Sequence, residues 1–184
     1  MRPVVLALIC LSVAACNRVD PAQQTAATPA ADAAAPAAAD KPLALAEMKP
    51  EQISATSALS DACNLEAIDG TIVPDMNPIE PKQRVFPVSG WAIDSKTQAA
   101  PASLDLRLYS TSGDGRIWQM ALPQTIERPD VQAVRGGAES LLRSGFAAYV
   151  DASGLPAGRY SLRLAFQAGD GDTICDNGRA VLLK

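Results

Sequence analysis

An all-β fold, a two-sheet antiparallel sandwich of about seven strands, is what this sequence predicts. Three observations carry it. Short runs with period-2 alternation recur through the second two thirds of the chain, as in residues 103–109, where Leu104, Leu106 and Leu108 share one face. Gly, Asp, Asn and Pro clusters punctuate those runs at short spacing, the pattern of a sandwich. No strand alternates with a helical pattern, so a parallel α/β sheet is excluded.

In chain order, Met1-Arg2 precedes an apolar run over residues 4–11, too short for the roughly 20 residues of a membrane-spanning helix but of secretory-leader length. The run closes on Val13-Ala14-Ala15-Cys16. That tetrapeptide resembles a bacterial lipobox. The resemblance implies a leader over 1–15 and lipidation of Cys16, with a diacylglyceryl thioether and an N-acyl chain such as palmitate, a firm anchor of more than one chain. Cleavage without lipid at the small residues is the alternative. Asn17 rather than Asp implies the outer membrane if the cell is Gram-negative, with the domain facing the periplasm or the surface.

Residues 16–49 read as a lipidated start and a disordered tether. They are mostly Ala, Pro, Gln, Thr and Asp, with prolines at 21, 29, 36 and 42, too poor in large apolar groups to offset ordering entropy. The folded domain is expected over 50–184. Pro50-Glu51-Gln52-Ile53 predicts a short helix to about Leu59. Strands follow at 63–68, ending at Asp69-Gly70, and at 84–93, where Pro87 predicts an edge or a bulge. Between them, residues 73–82 are a proline-rich loop holding Asp75 and Glu80. Further strands are expected at 103–109, 116–122, 144–150 and 159–166. Pro129 begins an irregular segment to Leu142 with room for one helical turn. Two last strands flank Asn177-Gly178, a hairpin signal.

Of the four cysteines, Cys10 leaves with the leader and Cys16 is lipidated. Cys63 and Cys175 remain as an even pair in an oxidising compartment, and a disulfide between them would close a loop of about 110 residues. Two buried thiols are the alternative.

The short motifs Gly90-Trp91-Ala92-x-Asp94, Arg128-Pro129-Asp130-Val131, Ser144-Gly145-Phe146 and Gly154-Leu155-Pro156-x-Gly158-x-Tyr160-x-Leu162 resemble those of Ig-like sandwich modules in bacterial envelope and polysaccharide-related proteins. The resemblance spans about 63–183. It implies an Ig-like fold and a non-catalytic accessory role, and it carries no ligand residue.

The chain contains no histidine, which removes His-based triads and His metal sites. No nucleophile motif takes their place, so no enzymatic activity and no cofactor are expected. A net charge of −4 with no basic run argues against nucleic acid. Gly169-Asp170-Gly171-Asp172 offers carboxylates but lacks the further ligands of a calcium loop, so a turn is favoured and no metal is expected. Arg128, Asp130, Arg135 and Glu139 gather on the irregular segment. They read either as an ion pair pinning the loop or as a binding patch. Val131, Val134, Leu141 and Leu142 could equally plug one end of the sandwich. Trp91 is expected in the core near the cysteines, with a sugar-stacking aromatic as the alternative. Trp118 is either core or, if exposed, a sugar-stacking platform. The expected function is thus a membrane-anchored envelope lipoprotein binding another envelope protein, with a glycan-binding module as the alternative. Arg128, Asp130, Arg135 and Trp118 are its candidate binding residues.

Overall fold

The computed structural model describes residues 41–73, 77–168 and 171–184. The leader, Cys16, the tether up to residue 40, and Asp75, Gly169 and Asp170 lie outside them. In the described residues two sheets pack face to face. The strands are β1 (Leu43–Ala44), β2 (Ala46–Glu47), β3 (Ser57–Leu59), β4 (Cys63–Ile68), β5 (Thr71–Ile72), β6 (Val85–Ala92), β7 (Asp105–Ser110), β8 (Ile117–Ala121), β9 (Gly145–Asp151), β10 (Gly158–Gln167) and β11 (Asp172–Leu183). Among the described residues a single α-helix, α1 (Pro129–Val134), sits before β9. One sheet runs β1-β9-β6-β4-β5 and the other β2-β8-β7-β10-β11-β3.

The long strands follow the predicted alternation. Leu106 and Leu108 of β7 face Phe86, Val88, Phe146 and Val150 of the other sheet across one core. The seven long strands divide as β4, β6, β9 against β7, β8, β10, β11, the division seen in immunoglobulin-type sandwiches. The Tyr160 hydroxyl donates to the Pro156 carbonyl at 2.9 Å, four residues upstream of it at the start of β10. This is the geometry of a tyrosine corner, and it explains why Leu155-Pro156 precedes the strand.

The sandwich departs from the expected pattern at its margins. It begins inside the segment read as tether. Leu43 pairs with Val150, and Glu47 with Trp118, so five residues bridge one edge of each sheet. Leu43 and Leu45 pack on the core and Met48 is buried. Three apolar side chains suffice there because both edges already exist. The helix expected to Leu59 is a single 3-10 turn, Pro50–Gln52, in which the Gln52 side chain accepts the Lys49 N–H at 2.8 Å. The chain then joins β11 as β3. The β1–β9 and β11–β3 pairs are parallel, so both sheets are mixed rather than purely antiparallel.

Pro87 lies in the central strand of its sheet, not at an edge. It pairs with Tyr149 on one side; on the other, β4 has already ended, and the Pro87 carbonyl accepts the Asp69 N–H of the turn at 2.8 Å. The missing donor therefore faces a turn, where no ladder bond is lost. Asp69 and Gly70, both at positive φ, make the two-residue turn between β4 and β5.

Asn177-Gly178 is not a hairpin. β11 continues through it, and Asp176, Asn177 and Gly178 stand opposite Arg163 alone as a three-residue bulge. Gly178 takes φ +69° and donates to Asp176 Oδ1. The bulge turns Asn177 toward β4, where its Oδ1 accepts the Leu65 N–H. Arg179 Nε donates to the Leu65 carbonyl at 3.2 Å. β5 is too short to cover this part of β4, so side chains from the opposite sheet satisfy its exposed backbone.

Cys63 and Cys175 form the predicted disulfide, with Cα atoms 6.3 Å apart, in the normal range for a bridge. Both are buried. Asp172, weighed above as a calcium-loop or turn residue, is buried and ion-paired with the equally buried Arg107 at 2.6 Å.

Candidate functional site

Strand parity places the first residue of the site. Phe86, Val88 and Ala92 of β6 face the core, so Trp91 faces outward, between Asn64 of β4 and Gly145 of β9. The expected core position beside the disulfide is thus corrected: Trp91 is half-buried on the outer face of its sheet. It packs against a second apolar cluster of Ala62, Ile93, Val131 and Leu141.

The irregular segment lies against this spot because Gly145 lets it. A Cβ on Gly145 would come within 2.7 Å of Arg128 Cγ and 2.9 Å of the Ile126 carbonyl. With only hydrogen there, Ile126 and Gly145 exchange two backbone bonds of 3.1 Å, and Arg128 N donates to Leu142 O. Helix α1 then starts with Pro129 at its first position and Asp130 in its first turn, both suited to a helix N-terminus. Gly136 and Gly137, at φ +106° and +80°, end it in backbone geometry that side chains disfavour. Val131 and Leu141 point inward and plug this end of the sandwich. Val134 is left 83% exposed, and Leu142 is half-buried. The plug reading therefore holds for Val131 and Leu141 and fails for Val134.

Arg128 is the pin of the segment. Its guanidinium meets Asp130 through Nε and Nη2, at 2.9 and 2.7 Å, and Glu66 of β4 through Nη1 and Nη2, at 2.9 and 3.0 Å. Two-pronged pairing of this kind fixes geometry as well as charge. The hydrogen bonds to Asp130 and Glu66, opposed by burial, push the Arg128 pKa up. The same Arg128 bond holds the Asp130 carboxyl at about 2. Glu66 escaped the sequence reading because an acid at mid-strand carries no local signal for a partner 62 residues away.

Arg135 does not join the ion pairs. Its guanidinium lies 5.2 Å from the centre of the Trp91 ring, a cation–π contact. Glu139 makes no ion pair among the described residues, so the expected four-residue cluster separates. Trp118 is elsewhere: it is 4% exposed, in the main core, edge-on to Tyr160 at 5.5 Å. Arg116 lies 4.6 Å over its ring. It offers no face to a ligand.

What remains is an open groove of about 340 Å³ lined by Glu66, Trp91, Arg128, Asp130, Val134 and Arg135. Among the described residues it holds no nucleophile–base pair, and no group of three His, Cys, Asp or Glu could hold a metal. It presents a stacked arginine and an exposed valine on a loop pinned by Arg128.

The low Asp130 pKa has a pH consequence. A carboxyl held at about 2 when folded stabilises the fold fully above its ordinary value of 3.8, and the contribution is lost as pH falls toward 2. Asp130 is largely exposed, so solvent screening limits the effect to no more than about 1 kcal/mol. Melting curves of the protein and its Asp130→Asn variant should differ at pH 5–7 and converge near pH 2. A difference that persists unchanged at pH 2 would contradict the assignment.

Comparison with known proteins gives no match to a protein-family model, to a curated protein or to a solved structure.

Proposed function

We propose that this chain is a membrane-anchored envelope lipoprotein whose sandwich domain works by binding another envelope protein. The lipobox-like Val13-Ala14-Ala15-Cys16 supports the anchor. The observation that carries the binding role is the α1 loop itself. It is pinned by Arg128 to two carboxylates, yet it leaves Val134 and the Trp91-stacked Arg135 at the surface. A loop rigidly presented by strands is the usual place for recognition, and Trp and Arg are the residues that most often carry interface energy. The burial of Trp118 counts against the glycan reading by removing one of its two candidate stacking aromatics; the other, Trp91, is half-buried at the groove with Arg135 over its ring.

The test separates the pin from the surface. A photo-crosslinker at Val134, in cells producing the full chain, should capture one envelope protein. Arg135→Glu should abolish that capture with an unchanged melting temperature. Arg128→Glu should lower the melting temperature, since it sets a third acid between Glu66 and Asp130. Capture that persists in Arg135→Glu, or that a soluble glycan competes away, would overturn the reading. The anchor is tested separately: Cys16→Ser should lose its lipid by mass spectrometry.

A further inference from the structure

The bulge in β11 sets an Asn-Gly pair, Asn177-Gly178, at the corner where the two sheets are joined. The other asparagines, at 17, 64 and 77, precede Arg, Leu and Pro, so this pair occurs once in the chain. Asn-Gly is the dipeptide most prone to self-conversion. The glycine backbone nitrogen attacks the asparagine side-chain carbonyl carbon, and no Cβ on the glycine hinders the approach. An N–Cγ bond forms and the Cγ–Nδ2 bond breaks. Ammonia leaves, carrying the proton that the backbone nitrogen gives up. Water then opens the cyclic imide at either carbonyl, which yields aspartate or its β-linked isomer. Solvent is the only other reactant.

The fold locks both reacting groups. The Gly178 N–H donates to Asp176 Oδ1 at 2.9 Å, and the Arg163 guanidinium holds that carboxylate in place at 2.8 Å. The nitrogen thus keeps its proton in a charge-assisted bond. The Asn177 amide is fixed from the other sheet. Its Oδ1 accepts the Leu65 N–H at 3.3 Å, and its Nδ2 donates to the Cys63 carbonyl at 3.4 Å. For attack, the amide must turn back toward its own backbone, so both bonds must break first. Both are longer than a typical N–H···O bond, and Asn177 is only half-buried. The bridge lies at the same corner: Cys63 supplies one of the two partners, and Cys175 precedes Asn177 by two residues. We infer that Asn177 is a latent self-modification site, kept shut by the Cys63–Cys175 bridge and opened when β4 and β11 part locally. Partial openings of this kind need less free energy than global unfolding. The change is one-way, because the ammonia is lost. Its products cannot rebuild the corner. A carboxylate oxygen in place of Nδ2 has no proton for the Cys63 carbonyl, and the β-linked isomer adds a methylene to the β11 backbone. The site is independent of the α1 loop and of any partner bound there.

The experiment incubates the full-length protein in neutral detergent at mildly alkaline pH. Mass spectrometry follows the conversion of amide to acid at residue 177. A synthetic peptide of residues 172–183 is the unprotected reference. The folded, bridged protein should convert at least about tenfold more slowly than the peptide, since only the locally opened fraction reacts. The Cys63→Ala, Cys175→Ala double variant should convert at least about tenfold faster than the bridged protein. Val150→Ala, a buried truncation in β9 far along the sheet from Leu65, lowers global stability without touching the corner and should stay as slow as the unaltered protein. If the double variant does not melt cooperatively, Asp176→Ser decides instead: it frees the Gly178 N–H with the bridge in place, and conversion should rise severalfold. A bridged protein that converts at the peptide's rate, no rise in the deciding variant, or an equal rise in Val150→Ala would overturn the inference.

Discussion

Removing the Cys63–Cys175 bridge should lower the melting temperature by roughly 10–20 °C, at about 3–5 °C per kcal/mol for a domain of this size. The two residues are 112 apart in sequence, so the bridge shortens almost the whole folded chain in its unfolded state. The chain-entropy estimate for a loop of that length is about 4.7 kcal/mol, an upper figure because residual structure in the unfolded chain reduces it. The bridge also ties β4 of one sheet to β11 of the other, next to the Asn177 and Arg179 bonds that cover the Leu65 backbone. Both sulfurs are buried, so the clean experiment is the Cys63→Ala, Cys175→Ala double variant rather than reductant on the folded protein. A shift of only a few degrees would mean that the side-chain bonds across the sheets hold this corner without it.

Gly90→Ala should prevent folding or cost more than about 3 kcal/mol, the range of severe overpacking. Gly90 is in the middle of β6 at ordinary strand geometry, so backbone freedom is not the reason it must be glycine. An added Cβ would lie 2.0 Å from the Asn64 carbonyl oxygen and 2.9 Å from Phe146 Cζ. The first is backbone of the neighbouring strand and the second a core ring, so neither can move aside cheaply. Gly154→Ala is the contrast. Its Cβ would meet nothing within 4 Å and its φ is not in the left-handed region, so restricting the unfolded chain should leave stability unchanged or raise it by about 0.4–1 kcal/mol. Denaturant unfolding of the two variants measures both. Similar stabilities for Gly90→Ala and Gly154→Ala would refute the packing argument.

The two tryptophans show how far strand register alone places a side chain: the core position weighed for Trp118 holds, and the one expected for Trp91 does not. In β6 the parity of Phe86 and Val88 already puts position 91 on the opposite face, and in β8 Trp118 shares parity with Met120 and Leu122, which are buried. Period-2 alternation thus contained both outcomes: Trp91 outward at the α1 loop, Trp118 inward at the core. The prior that tryptophans on strands are core is weaker than the register they stand in.

Other features had no local signal at all. Arg128 and Asp130 are neighbours, and their pairing is legible; Glu66, the second carboxylate on Arg128, is reached only when β4 and the α1 loop meet. The bonds from Asn177 and Arg179 to the β4 backbone likewise need the β11 bulge and the meeting of two sheets.

Local pattern decided the elements whose stability is mostly their own alternation over a shared core: β4, β6, β7, β8, β9 and β10, and the linkage of the two cysteines left in the folded part. Tertiary structure decided the rest. β1, β2 and β3 are two or three residues long and exist only because sheet edges with unpaired backbone groups were already there to receive them. Asn177-Gly178 has the dihedral freedom for either a hairpin or a bulge, and a two-residue motif cannot choose between them. The choice fell to β10, long enough to pair beyond Cys175, and to the bare backbone of β4 on the other sheet, which took the Asn177 and Arg179 side chains.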